Sequence, residues 1–135
     1  MRKKKKISPR TRLPQMGCGV DVVELRRFQQ ALKRGGAAFL RRVFTKQEEA
    51  YARARKRTTI LHLAGRFAAK EAVIKALSQV DPTRIVAMNQ VEICNDRLGR
   101  PRIVLHDGRR NSVAIHVSLS HVTSVAVASA IAICP

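Results

Sequence analysis

Between Ser112 and Cys134 the chain is long and apolar, but Asn111, His116, Ser118, Ser120, His121, Thr123 and Ser124 interrupt it with a spacing close to two residues. Two is the period of an extended strand with alternating faces. The segment therefore predicts two adjacent strands, Ser112–Ser120 and Ser124–Ile133. It does not predict a membrane helix, which needs roughly 20 predominantly apolar residues. The rest of the chain supplies what such a strand pair must pack against. Gly17–Val23 alternates as a strand, and Glu24–Arg34 reads as a helix stopped by Gly35-Gly36. Thr45-Lys46-Gln47-Glu48 has the capping-box pattern that starts a second helix, running to about Arg57. His62–Gln79 is a long central helix ended near Asp81-Pro82. Val91–Asn95 and Arg102–His106 read as a hairpin across Gly99. This order predicts an α+β fold with helices packed on an antiparallel sheet.

A chain of 135 residues fits one domain with a modest core. Met1–Gln15 holds a lysine run, two prolines and almost nothing apolar, which predicts a disordered basic tail before a single domain of residues 16–135. The net charge is +18; seven basic residues and no acid fall in Met1–Met16, leaving 20 basic against nine acidic residues beyond it. Such an excess calls for an acidic partner, and charge alone would put nucleic acid first. Four phenylalanines and one tyrosine are few for base stacking. Cys18, Cys94 and Cys134 are odd in number and lack C-x-x-C spacing, which argues against a disulfide framework or a zinc site and for a reducing cytosol. The N-terminus has no apolar core of a secretory signal.

Few residues stand out for chemistry. Asp21 sits inside an apolar strand, where a carboxylate is costly unless paired or metal-bound. On a helical wheel Glu71 falls in the stripe of Leu63, Ala64, Phe67 and Ile74, pointing toward the expected core. Lys75 follows at i+4, so an ordinary Glu71–Lys75 pair is the simplest single reading. Two core-directed acids among nine make a stronger case together, because Mg²⁺ is commonly held by one or two carboxylates plus waters and substrate phosphates. In His116-Val117-Ser118-Leu119-Ser120-His121, alternation puts His116, Ser118 and Ser120 on one face. His121 falls on the other unless the strand turns there. No glycine-rich phosphate loop is present.

These segments together resemble a known pattern. Gly19-Val20-Asp21-Val22-Val23-Glu24 with Arg27, Arg66-Phe67-Ala68-Ala69-Lys70-Glu71-Ala72 with Lys75, and His116–His121 occur in the order found in the short, single-domain holo-acyl-carrier-protein synthases. Phe44-Thr45 and Leu98-Gly99-Arg100-Pro101 match in kind and order, and the resemblance covers about Gly17 to Ile133. It implies transfer of 4′-phosphopantetheine from coenzyme A to a serine of an acidic acyl carrier protein, with Mg²⁺ as cofactor and 3′,5′-ADP released. By position, Asp21 and Glu71 match the metal ligands, and Arg66 and Lys70 lie in the phosphate-binding stretch. Lys75 matches a basic residue near the coenzyme A phosphates, and His116 the histidine at the coenzyme A site. Arg27 and Arg42 match positions that meet the carrier. The resemblance further implies a cytoplasmic homotrimer with sites at subunit interfaces, serving fatty-acid biosynthesis, with neither membrane nor nucleic acid as partner. A small basic nucleic-acid-binding protein is the competing reading.

Overall fold

The computed structural model describes residues 13–110 and 112–135. Strand β1 (Gln15–Glu24) leads into helices α1 (Leu25–Val43), α2 (Lys46–Arg53) and α3 (Thr59–Val80). A hairpin β2 (Val91–Asn95)–β3 (Pro101–Leu105) and the pair β4 (Ala114–His121)–β5 (Val125–Cys134) follow. β5 lies between β1 and β4 in a three-stranded antiparallel sheet, and β2–β3 form a second sheet. This is the α+β arrangement that the element order predicts.

The helix–sheet interface is made of small side chains. Ala126, Ala128, Ala130 and Ala132 alternate along β5 and are all buried. α3 meets this sheet with its own run of buried alanines, Ala64, Ala68, Ala69, Ala72 and Ala76. β1 comes closer still. A Cβ on Gly17 would stand 2.2 Å from the Ala76 carbonyl oxygen, and one on Gly19 would stand 2.0 Å from that of Ala72. Two strand residues and four helix residues advance similar distances, about 6–7 Å. The glycine and alanine spacings therefore keep step and seat β1 directly along α3.

The boundaries differ from the sequence reading where packing extends an element. The helix break falls at Gly36, whose φ of 52° and ψ of −142° leave helical space. The chain then resumes as helix to Val43, because Phe39 and Leu40 pack on the core and Val43 and Phe44 are buried in it. α2 begins at the predicted cap: Thr45 Oγ1 accepts from Glu48 N, and Glu48 Oε2 accepts from Thr45 N. It ends at Arg53, four residues short of the expected Arg57. α3 gains a turn at its start. The predicted tail lies outside the described residues as far as Arg12. Gln15 already pairs with Cys134, so β1 starts one residue before the expected boundary.

Candidate active site

The close seating of β1 on α3 sets two acids on one cleft. Asp21, on β1, and Glu71, on α3, line a cleft of about 910 Å³ with Glu24, Arg27, Phe28 and Phe67. Both acids are half-buried, so they edge the cleft; Glu71 does not enter the core toward which the helical wheel pointed it. α3 is covered by the sheet on one side and by α1 and α2 on the other, and this two-sided burial removes the single apolar stripe on which that inference rested. Lys75 Nζ donates to Asp21 Oδ1 at 3.0 Å and to the Val20 carbonyl at 3.0 Å. The lysine thus pairs across two elements with Asp21, where the i+4 spacing pointed to Glu71.

A second cavity of about 320 Å³ opens on the opposite flank of α3, between α2, the β2–β3 turn and the end of β4. Arg66 is its main cation and is 5% exposed. Its Nη2 donates to Asn95 Oδ1 at 3.0 Å, and its guanidinium lies 3.9 Å from the centroid of Tyr51. Arg55 covers a Tyr51 ring at 3.5 Å. Arg66 Nε is buried without a hydrogen-bond partner, a costly state for a donor unless a ligand completes it. Burial pulls the Arg66 pKa below its usual value, with Tyr51 and Glu48 opposing.

The structure separates the two histidines of the C-terminal motif. Ile115, Val117 and Leu119 face α3 and are partly buried, while His116, Ser118 and Ser120 are exposed, Ser118 and Ser120 also bordering the Arg66 cavity. His121 has the α3-facing parity and lines the Arg66 cavity, as does His62 from α3; His116 lines neither this cavity nor the Asp21 cleft. The spacing did place His121 on the opposite face from His116, but not that the cavity takes in the end of β4, from Val117 to His121. His62 and Tyr51 gave no signal in the sequence beyond being polar or aromatic residues on helices.

Lys70 is turned inward. Its ammonium is fully buried, 2.6 Å from Glu48 Oε2, and donates to the Val43 and Met88 carbonyls. Glu48 Oε1 also accepts from Ile93 N. Burial lowers the Lys70 pKa and Glu48 opposes the shift. The pair ties the ends of α1 and α2, the turn before β2, and β2 itself to α3. Arg27 lines the acidic cleft and Arg42 lies near the end of α1, both exposed.

Two carboxylates on one cleft suit Mg²⁺ completed by waters and phosphate oxygens. Among the described residues no group of three or more His, Cys, Asp or Glu side chains forms an all-protein cage. The donor set therefore fits Mg²⁺ as an ion shared with a phosphorylated substrate, not as a permanently caged one.

A family model described as the 4′-phosphopantetheinyl transferase superfamily matches residues 17–134. The holo-acyl-carrier-protein synthase of Protochlamydia amoebophila (strain UWE25) is 41% identical over 119 residues, 86% of this chain and 96% of that protein. A solved ACPS–CoA complex from Chronobacterium ammoniagenes is similar with a TM-score of 0.75 at 32% identity, over 90% of this chain and 98% of that one. A holo-(acyl-carrier-protein) synthase from Bacillus anthracis str. Ames, in complex with CoA (3′,5′-ADP), gives 0.69 at 30% identity, over 88% and 96%. The chain belongs to the 4′-phosphopantetheinyl transferase superfamily, and within it to the enzymes that are holo-acyl-carrier-protein synthases.

Proposed function

We propose that this enzyme transfers 4′-phosphopantetheine from coenzyme A to a serine of an acidic apo-acyl carrier protein at the Asp21–Glu71 cleft, in a Mg²⁺-dependent reaction that releases 3′,5′-ADP. The observation that carries this reading is the meeting of Asp21 and Glu71 on one cleft beside Lys75, with Arg27 on its rim. The serine hydroxyl attacks the β-phosphorus of coenzyme A, a new P–O bond forms, and the bond to the 3′,5′-ADP oxygen breaks. Such a transfer depends mainly on positioning and charge neutralisation. Asp21 and Glu71 would hold Mg²⁺, which would neutralise pyrophosphate charge when bound. Lys75, held by Asp21 and the Val20 carbonyl, stands ready to stabilise charge on the departing oxygen. Arg66, with its unpartnered Nε, suits the nucleotide end of the donor. Lys70 is occupied within the fold and acts as a positioning residue for α3.

Arg27 and Arg42 offer exposed positive charge to the carrier. The open face of the three-stranded sheet supports the homotrimer: Met16, Val20, Val22 and Ile131 are 67, 59, 62 and 45% exposed. An apolar sheet face of this kind is ordinarily covered. Three free cysteines fit a reducing cytoplasm, and the carrier substrate fits fatty-acid biosynthesis. Among the described residues no helix is long and apolar enough to cross a membrane.

The test is incubation with apo-carrier protein, coenzyme A and Mg²⁺, read by intact mass of the carrier and by chromatography of 3′,5′-ADP. Mass gain on the carrier serine with equal release of 3′,5′-ADP is expected; neither appearing would overturn the reading.

A further inference from the structure

The Arg66 cavity carries a feature that phosphate binding alone does not require. Two imidazoles line it, His62 from α3 and His121 from the end of β4. His62 stands edge-on to Tyr51, ring centroids 5.5 Å apart and planes at 85°. That ring also carries the Arg55 and Arg66 guanidiniums at 3.5 and 3.9 Å. The groups acting on His62 are therefore Arg55, Arg66, His121 and Tyr51, and among the described residues no acid lines this cavity. With the buried Arg66 Nε unpartnered beside them, the cavity has the donor set of an anion receptor.

We propose that His62 is a proton-linked donor-binding residue: the nucleotide phosphates of coenzyme A bind this cavity together with a proton taken up by His62. This inference rests on coenzyme A as the donor and goes beyond it by assigning the cavity a titrating partner. In the free protein burial first, then Arg66, Arg55 and His121, hold the His62 pKa below the ordinary 6.5. A bound phosphate reverses the sign of the local field and raises that pKa. The bound-state value then exceeds the free-state value, so binding takes up a proton between the two. Affinity rises as pH falls through that window, is flat above it, and levels off once His62 is protonated in the free protein. A shift of one pKa unit corresponds to about a tenfold gain in affinity.

The experiment is calorimetric titration of the full chain with 3′,5′-ADP at pH 8, 7 and 6, in buffers of different ionisation enthalpy. The ligand phosphates also titrate, so the decisive quantity is the difference between the parent protein and two variants. His62→Gln is expected to take up fewer protons than the parent as pH falls, and to lose affinity relative to it progressively from pH 8 to pH 6, by at most about tenfold for each unit of pKa shift. His62→Lys, with a charge fixed across the range, is expected to bind more tightly than His62→Gln at every pH, by a margin that does not grow as pH falls. Equal proton uptake by parent and His62→Gln, or parallel affinity curves for all three proteins, overturns the inference while leaving coenzyme A as donor intact. Failure of the parent to bind 3′,5′-ADP at any pH overturns both this inference and the donor assignment on which it rests.

Discussion

The two cavities on either flank of α3 differ in sign. The Asp21–Glu71 cleft is lined by three acids, Asp21, Glu24 and Glu71, against two arginines, Arg27 and Arg34, and Asp21 is paired with Lys75. Among the described residues, the Arg66 cavity is lined by a guanidinium, two imidazoles and no acid. On the proposed reading, chemistry belongs to the flank with the paired acids and anchoring of the donor's phosphates to the flank with Arg66. This division also predicts that substitutions on the two flanks fail in different kinetic parameters.

The largest effect is expected from the acids. Asp21→Ala and Glu71→Ala each should lower kcat/KM about a thousandfold, several kcal/mol of transition-state stabilisation, with circular dichroism unchanged. Near-parental turnover of either variant in Mg²⁺ would place the metal elsewhere. Next comes the buried pair between the flanks. Lys70→Met leaves Glu48 buried without its cation and should cost about 3–5 kcal/mol in denaturant unfolding; an unchanged midpoint would remove Lys70 from its structural role. On the basic flank, Arg66→Ala should raise KM for coenzyme A about 10- to 100-fold, the loss of a charge-assisted contact, with a smaller change in kcat. A fall in kcat alone would merge the two flanks into one functional unit.

The rim sharpens the comparison further. Arg27→Glu and Arg42→Glu should raise KM for the carrier about tenfold at low salt while leaving that for coenzyme A nearly unchanged. Added salt should narrow the gap, since exposed charges are screened beyond about 8–10 Å. Equal effects on both substrates would reduce these arginines to contributors to the general field. The smallest effect is expected from deleting residues 1–12, whose composition offers little to bury. Melting temperature and turnover should stay near parental values, and a large loss in either would tie the segment to the domain.

Local sequence determined much of the fold because its signals act within one element. Alternation marked β4 and β5, the Thr45–Glu48 box marked the start of α2, and the Gly35-Gly36 pair marked the break in α1. The motif positions of Asp21 and Glu71 were likewise legible, because acids in apolar elements are costly without a partner. Spacing fixes only the face of its own element on which a side chain lies. What that face meets is decided by packing between elements far apart in sequence. Thus Lys70 and Glu71 are neighbours on one helix, but Lys70 is buried against Glu48 and Glu71 edges a cleft. His116 and His121 share one strand, yet only His121 meets the Arg66 cavity. The i+4 rule paired Lys75 with Glu71; the close approach of Gly17 and Gly19 to α3 brought Asp21 within 3.0 Å of it instead.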